Sequence, residues 1–483
     1  MEENTTNNSK GANYMRTSTN LMLITMVAAL GGLLFGYDTA VVAGAAESLQ
    51  VYFHLSPAEL GFGASSALIG CVIGAIIAGG LSTKYGRKGT LLMAAAAFFV
   101  SAVGTAMPFP FESFVFFRIV GGIGVGIASM VSPMFIAEIA PPKKRGALVS
   151  CNQFAIIFGM LLIYFVNYGI ALMGDDAWLH SIGWRWMFAS GVVPAALFLG
   201  LLLFIPDTPR WLAMKGRESE AKDLLRQINK GKDIDEQWQE IEQSLTSTSK
   251  EKVSIRKAGF AGVLFIGIAL SVLQQITGIN VFLYYAPVIF KSLASSGTDV
   301  AMFETILVGA VNLLFTVIAI FTVDKFGRKP LMMVGAAIMS LSMFAIGTAA
   351  YLDAVSGYLV VFVLGYIAAF ALSLGPVTWV LLSEIFPNKV RAKALSIAVF
   401  AQWVANYLVS QTFPMMNAKS SYVYQAYHGG FPFWLYGAFG IVTIFFVAKW
   451  VPETKGKSLE ELEQIWERKP QATSPSYQAS LGK

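Results

Sequence analysis

Twelve runs of mainly apolar residues recur along the chain, each close to the roughly 20 residues that a helix needs to span a bilayer. Charged residues make up only 13% of the chain and hydrophobic residues 55%, whereas soluble chains carry roughly 25% charged residues. No run alternates as the strands of a membrane barrel do. We therefore predict an all-α membrane protein with spans near 20–44, 61–82, 89–107, 113–139, 147–172, 185–205, 259–290, 302–323, 330–351, 356–386, 394–413 and 431–451.

Lysine and arginine collect in the connections on one side of these spans. Arg87, Arg145, Arg328 and Arg391 follow the second, fourth, eighth and tenth runs, and the loops on the other side are nearly free of basic residues. Cytoplasmic loops carry this excess of basic residues, so both termini are predicted to be cytoplasmic. The asymmetry accounts for the net charge of +6, and a nucleic-acid partner is not required.

The chain reads as two similar halves, because three motifs recur in order at a nearly constant offset of 241 to 246 residues. The pairs are Gly86-Arg87-Lys88 with Gly327-Arg328-Lys329, Glu138 and Arg145 with Glu384 and Arg391, and Pro206-Asp207-Thr208 with Pro452-Glu453-Thr454. We predict two six-helix pseudo-symmetric halves with a binding site between them at mid-membrane. The predicted segments are a disordered cytoplasmic tail (1–19), the N-terminal half (20–205), a cytoplasmic linker with short amphipathic helices (206–257), the C-terminal half (258–451) and a cytoplasmic C-terminal tail (452–483).

Several short motifs together resemble the signatures of the sugar porter family of the major facilitator superfamily. They are Gly36-Tyr37-Asp38, Lys84-Tyr85-Gly86-Arg87-Lys88, Pro206-Asp207-Thr208-Pro209-Arg210, Gln274-Gln275-x-x-Gly278-x-Asn280, Asp324-Lys325-Phe326-Gly327-Arg328-Lys329 and Pro452-Glu453-Thr454-Lys455-Gly456. Segments 152–159 and 375–387 resemble the bacterial D-xylose–proton symporters of that family. The resemblance runs from about residue 20 to 465. It implies the major facilitator fold, alternating access, the bacterial cytoplasmic (inner) membrane, and proton-coupled symport of a monosaccharide such as D-xylose, glucose or another aldose.

The sugar site that the resemblance implies is rich in amides and aromatic rings. On an ideal helix Gln275 and Asn280 would point about 140° apart, so the helix must be distorted between them to bring both to one cavity. Gly278 permits such a distortion. The implied hydrogen-bonding residues are Gln153, Gln274, Gln275, Asn280, Trp379 and Gln402, and the implied aromatic lining is Phe35, Tyr284 and Trp403. Buried amides can instead join neighbouring helices, and that alternative stays open.

Asp38 and Arg118 each place a charge inside an apolar run. Either charge alone would be costly in a bilayer, and mutual pairing relieves the cost. A carboxylate that loses its arginine partner binds a proton more readily, so the pair suits proton coupling. The alternatives are a static ion pair and an uncoupled facilitator of the same fold.

The basic residues of the connections have acidic neighbours in sequence. The resemblance implies an inner network of ion pairs that holds the halves together in the outward-facing state, formed by Arg87, Glu138, Arg145, Asp324, Arg328, Glu384 and Arg391. Incidental pairing of positive-inside charges is the alternative. Thr83 stands where the family motif usually has Asp, which puts the ion pair of the first copy in doubt.

Other activities find little support. Gly122-x-Gly124-x-Gly126 resembles a dinucleotide fingerprint, but it lies within a predicted span, so close helix packing is the better interpretation. The three histidines lack metal-ligand spacing, and no nucleophile–base arrangement is evident. We predict no enzyme, cofactor, metal or obligate protein partner. A sugar sensor would carry a longer cytoplasmic tail, and a drug antiporter a more apolar cavity.

Overall fold

The computed structural model describes residues 21–141, 144–229, 234–247, 260–294, 297–354, 357–386 and 390–455. Among these residues, ten helical segments are long and apolar enough to cross a membrane. One of them, Pro57–Ala106, holds two spans, because its backbone leaves the helical conformation at Gly86. Arg391–Asn417 supplies the twelfth span, and its polar side chains keep it below the hydropathy of the others. The prediction of an all-α protein with twelve spans is confirmed.

We number the spans α1 to α12 in chain order. They are α1 Leu21–Phe53, α2 57–85, α3 87–106, α4 Phe111–Ile139, α5 Arg145–Ala171, α6 Asp176–Phe204, α7 in two parts (Ala261–Ile276 and Ile279–Ala294), α8 Thr298–Phe326, α9 Arg328–Tyr351, α10 in two parts (Leu359–Leu372 and Leu374–Ile385), α11 Arg391–Asn417 and α12 Phe431–Trp450. Gly86 and Gly327 join α2 to α3 and α8 to α9 with nearly the same backbone, at φ +87° and +91°. Only glycine adopts this conformation without strain, so the repeated motif marks the same turn in each half.

Three short helices follow α6 in the predicted linker, at Pro209–Met214, Glu218–Ile228 and Asp235–Ser247. The middle helix buries Ala221, Leu224, Leu225 and Ile228 on one face and exposes its charged residues. Its apolar face packs in the same cluster as residues of the N-terminal half. The middle helix is therefore amphipathic and lies against the N-terminal half.

Glycines bring α2 and α4 into backbone contact. A Cβ on Gly122 or Gly126 of α4 would overlap the carbonyl oxygen of Ala67 or Cys71 on α2. Gly70 of α2 is blocked in the same way by the carbonyl oxygen of Ile119. The glycine repeat thus serves close helix packing, as the sequence indicated, and not nucleotide binding.

The halves are joined by polar contacts near one end of the bundle. We call the end that carries the three short helices the linker end, and the opposite one the far end. Near the far end, Lys291 Nζ of α7 lies 2.8 and 2.7 Å from the two carboxylate oxygens of Glu47 of α1. Thr298 Oγ1 donates to Asp176 Oδ1 at 3.0 Å. The other contacts are Ser65 Oγ to Gln411 Oε1 (3.1 Å), Gln411 Nε2 to the Ala58 carbonyl (2.8 Å) and Tyr164 OH to the Leu283 carbonyl (2.7 Å).

The residues of α1 and α7 near the far end are also buried. In α1 the residues from Ala40 to Ala46 are buried, and in α7 every residue from Ile279 to Tyr285 is buried. Towards the linker end, by contrast, Met22 and Met26 of α1 are 52% and 54% exposed. The space between the halves is therefore closed at the far end.

Replacing Gly122 with Ala should destabilise the protein, because the added methyl must push two backbones apart, at a cost of about 1–3 kcal/mol. Gly80→Ala on α2 is the matched control, since nothing lies within 4 Å of its added methyl. We expect a lower melting temperature in detergent for Gly122→Ala and no decrease for Gly80→Ala. Equal melting temperatures would contradict the close packing of α2 on α4.

Candidate functional site

A break in α7 positions the predicted amides. Gly278 has φ +95°, and the helix stops at Ile276 and resumes at Ile279. The hydroxyl of Tyr366 donates to the buried carbonyl of Thr277 at 2.9 Å and supports the break. As a result Asn280 Nδ2 donates to Gln275 Oε1. The distortion that the sequence required between these two amides is present.

Gln274 is the centre of an amide network that joins three helices. Its Nε2 donates to the carbonyls of Leu374 and Gly375 in α10, at 2.9 and 3.0 Å. Its Oε1 accepts from Gln402 Nε2 of α11 at 2.8 Å and from Gln275 Nε2 at 3.2 Å. Since both ends of this side chain are bonded within the protein, Gln274 orients the other amides.

Two polar atoms of the network have no partner among the described residues. Gln402 Oε1 and Trp403 Nε1 are both buried, although buried polar groups almost always find a partner. One is an acceptor and the other a donor, and they belong to adjacent residues of α11. A ligand with several hydroxyl groups could satisfy both.

Aromatic rings from both halves approach this network. Phe35 of α1 lies 5.8 Å from Trp403 between ring centroids, at an interplanar angle of 49°. Tyr284 is 4% exposed, whereas Trp379 of α10 is 40% exposed. The part of the chain that the structure covers shows no hydrogen bond for Gln153 or Trp379, so these two predicted residues stay outside the network in this conformation.

Asn406 was not singled out from the sequence. It is 4% exposed and accepts a hydrogen bond from Ser410 Oγ at 3.0 Å. Its side chain also lies near the hydroxyl of Tyr284. Asn406 stands one turn after Gln402 on the same face of α11, and that spacing is the signal that could have identified it.

The structure pairs Asp38 with Arg118 inside the N-terminal half. Arg118 Nη1 lies 3.2 Å from Asp38 Oδ2 and 3.1 Å from the backbone carbonyl of the same residue. The Arg118 side chain is 1% exposed, and its Cζ lies 5.7 Å from the ring centre of Phe188. The guanidinium has thus lost its water, and the carboxylate is its charged partner.

At the linker end, the repeated motifs meet in one charge cluster per half. In the first cluster Arg87 donates to Glu138 through Nε and Nη2, at 2.9 and 2.7 Å. Thr208 Oγ1 also donates to Glu138, at 2.5 Å, and Asp207 Oδ1 accepts from the Arg87 backbone N–H at 3.0 Å. A Cβ on Gly86 would overlap the Asp207 carboxylate, so only glycine fits there.

The second cluster repeats this arrangement. Arg328 Nη2 donates to Glu384 at 2.8 Å, and Thr454 Oγ1 donates to Glu384 at 2.5 Å. Glu453 accepts from the backbone N–H groups of Arg328 and Lys329, both at 3.0 Å. These pairs lie within one half in each case, whereas the sequence predicted pairs that hold the halves together in the outward-facing state.

The three remaining residues of the predicted network are placed differently. Arg145 Nε donates to the Ala137 carbonyl at the end of α4 (3.1 Å), and its Nη2 lies 3.7 Å from Glu240 of the linker. Arg391 Nε donates to the Phe386 carbonyl at the end of α10, also at 3.1 Å. Both arginines therefore cap a helix C-terminus, where a positive charge is favourable. The side chain of Asp324 lies outside the described residues.

The acidic residues that cap α3 and α9 differ in their proton affinity. Burial raises the pKa of Asp207, and this outweighs the backbone N–H groups and the Arg87 charge that lower it. Burial also raises the pKa of Glu453, but four backbone N–H groups outweigh it and the net shift is downward. Glu453 therefore stabilises the fold above the ordinary glutamate pKa and loses that contribution as the pH falls. Ionisation of Asp207, by contrast, opposes folding as the pH rises past the ordinary aspartate pKa.

Comparison with known proteins places these features in a family. The family model described as "sugar (and other) transporter" matches residues 24–466. The D-xylose-proton symporter of Escherichia coli is 51% identical over 95% of this chain and 99% of its own length. The glucose facilitated diffusion protein of Zymomonas mobilis is 39% identical over 92% and 97%. The inward open conformation of the xylose transporter XylE from E. coli superposes with a TM-score of 0.81 at 49% identity, covering 92% of this chain and all of that one.

Sequence analysis did not identify Lys291 and Glu47, the ion pair that joins the halves at the far end. The feature of the sequence that could have indicated this pair is one acidic residue near the end of α1 and one basic residue near the end of α7. Replacing Glu47 with Gln should open the far end more often, with a change in the closed-to-open ratio of up to about fivefold, since the pair is partly exposed.

The distance between nitroxide labels at Val51→Cys and Val300→Cys, in a Cys151→Ser background, measures this opening. The charge swap Glu47→Lys with Lys291→Glu should restore the closed distance. Asp223→Asn is the control, because its pair with Arg226 lies within one linker helix. An unchanged distance distribution in Glu47→Gln would refute the role of the pair.

Proposed function

The chain belongs to the sugar transporter family, and we propose that it imports a monosaccharide together with protons by alternating access. The observation that carries this proposal is the buried Asp38–Arg118 pair in one half, next to an amide and aromatic site in the other. A bonded, water-free arginine and carboxylate inside a membrane domain mark a proton or ion pathway. The protein is a multi-pass membrane transporter and not an enzyme.

The proposed substrate is D-xylose, with glucose or another aldose as a further possibility. Gln402 and Trp403 offer unused polar atoms to sugar hydroxyls, Gln275 and Asn280 are positioned beside them, and Gln274 fixes their orientation. Phe35, Tyr284 and Trp403 supply flat apolar faces for the C–H side of a pyranose. Gln153 and Trp379 would join the site when the halves close around the sugar.

The proposed orientation places the linker end in the cytoplasm of a bacterial cell, with both termini on that side, by the positive-inside rule. The far end then faces outward, so the structure is closed towards the outside. Sugar and proton enter from the outside, protonation of Asp38 weakens its hold on Arg118, and the halves rock. Closure of the far end forms the Lys291–Glu47 pair, and the sugar leaves towards the cytoplasm.

The two halves have different proposed tasks. Residues 20–205 carry the proton site and residues 258–451 most of the sugar site, with 206–257 as the cytoplasmic linker and 1–19 and 452–483 as tails. The charge clusters of Arg87 with Glu138 and of Arg328 with Glu384 would rearrange to join the halves when the linker end closes. Arg145, Asp324 and Arg391 would take part in that closed state.

An uncoupled facilitator of the same fold is the second candidate, favoured by the 39% identity to a glucose facilitated diffusion protein. The two candidates differ in whether sugar movement requires the proton. The buried ion pair favours coupling, because an uncoupled carrier has no use for a carboxylate that must be desolvated.

Asp38→Asn should abolish uphill accumulation in proteoliposomes and leave sugar counterflow in place. The amide can still bond Arg118 but cannot take up a proton at physiological pH. Sugar uptake with an imposed proton gradient, and the external alkalinisation that accompanies it, measure coupling. A facilitator would show no uphill accumulation in either protein, and equal uphill accumulation by both would refute proton coupling through Asp38.

Gln402→Ala should weaken sugar binding by about 10- to 100-fold, because it removes a hydroxyl partner and one bond to Gln274. A titration with xylose, glucose, galactose, arabinose and inositol measures the affinities and ranks the sugars. Thr412→Val on the same helix is the control, since its hydroxyl bonds only the carbonyls of Leu408 and Val409 in its own helix. Unchanged affinity in Gln402→Ala would place the sugar elsewhere.

A further inference from the structure

Ser101 of α3 is one of a few buried hydroxyl residues whose side chain makes no hydrogen bond among the described residues. Thr39, Thr90 and Thr105 each donate to the carbonyl four residues earlier in their own helix, at 2.7 to 2.8 Å. Ser101 is 1% exposed, and its Oγ has no partner among the described residues. Its hydroxyl has turned away from its own helix without finding another group.

The hydroxyl of Ser101 faces the carboxylate of Asp38 across Gly121 of α4. A Cβ on Gly121 would overlap Ser101 Oγ and would lie 3.3 Å from Asp38 Oδ1. The two oxygens therefore border the same space, which exists because residue 121 has no side chain. The oxygen on this side is Oδ1, whereas Arg118 bonds Oδ2.

A small cavity adjoins this place. It has a volume of about 10 Å³ and is lined by Asp38, Tyr37 and Ala102, among others. That volume is close to the space one water molecule needs. The Asp38 side chain therefore borders free space in which it can turn.

The ionised and protonated forms of Asp38 need different partners. An ionised carboxylate only accepts hydrogen bonds, and Arg118 provides the donor. A protonated carboxyl carries an O–H that must donate, and the Ser101 oxygen has lone pairs to accept it. Arg118 keeps a bond to the backbone carbonyl of Asp38, so it can stay in place when the carboxyl turns away.

We propose that Ser101 is the positioning residue that accepts the hydrogen bond of protonated Asp38 and so stabilises the proton-loaded form of the carrier. This inference rests on the proposed proton coupling through Asp38. Arg118 of α4 is the charged group that faces this carboxyl, and the titratable side chains of Cys71 of α2 and Tyr284 of α7 lie nearby. The hydroxyl of Tyr37, on α1 itself, is occupied by Ser190 of α6 at 2.7 Å. Ser101 is the residue of α3 that faces this carboxyl.

Ser101→Ala should make Asp38 harder to protonate. We expect the midpoint of Asp38 protonation, and with it the pH of half-maximal accumulation, to fall by about 0.5–1 pH unit. Infrared titration of the purified protein follows the C=O stretch of the protonated carboxyl, which Asp38→Asn identifies by its loss. In Ser101→Ala that band should also move to higher wavenumber, because a hydrogen bond is gone.

Two variants serve as controls. Ser101→Thr keeps the hydroxyl and should restore both the midpoint and the band position. Ser132→Ala removes another buried serine hydroxyl of the same half that has no partner in the described residues and adjoins Gly31 on α1, and it should leave both unchanged. A Ser101→Ala protein with an unaltered midpoint and band would overturn the proposal.

The infrared result does not depend on transport. If Asp38→Asn leaves accumulation unchanged, proton coupling through Asp38 fails, yet the titration still decides whether Ser101 binds the protonated carboxyl. If Asp38→Asn abolishes accumulation and Ser101→Ala changes neither readout, coupling stands and the role of Ser101 fails.

Discussion

The guanidinium of Arg118 is the group around which the N-terminal half is organised. It is almost fully shielded from water within a helical bundle, where an unpaired charge would cost several kcal/mol. Asp38 compensates this charge through one carboxylate oxygen and its backbone carbonyl. Any change in the protonation of Asp38 therefore alters the charge balance around the buried guanidinium. Because water does not reach the arginine, we expect the bundle to respond by a change of conformation.

The repeated motifs show how one chemical solution is used twice. In each half a positive-φ glycine turns the chain, an acidic side chain caps the next helix, and an arginine bonds a glutamate that also accepts from a threonine. An anionic cap is favourable at a helix N-terminus, so Glu453 stabilises a span of its own half, whereas the backbone N–H groups that bond Asp207 only partly offset the cost of burying its charge. The clusters thus make each half rigid, and motion is left to the interface between them.

The sequence predicted the spans and the pairing of Asp38 with Arg118 well, because hydropathy and the cost of a buried charge are local arguments. It placed the end of α1 near residue 44, whereas the helix continues to Phe53. Glu47 and Gln50 resemble a loop in the sequence, but Glu47 is held by Lys291 of the other half. Likewise, the sequence indicated that Gln274 binds the sugar as its neighbours do. Only the structure shows that residues of α10 and α11 already form hydrogen bonds with its side chain. Contacts between distant segments decide both cases, and periodicity carries no information about them.

Tyr284 connects the two sites that symport must couple. Its ring belongs to the broken helix α7, beside the amides, and its hydroxyl lies near Asn406. It also lies within electrostatic range of Asp38 and Arg118 of the N-terminal half. Because α7 is interrupted at Gly278, its second part can move with Tyr284 while Gln274 and Gln275 stay bonded. In the proposed mechanism, a sugar that binds the amides and a proton that neutralises Asp38 would therefore act on the same short segment of α7, from opposite sides.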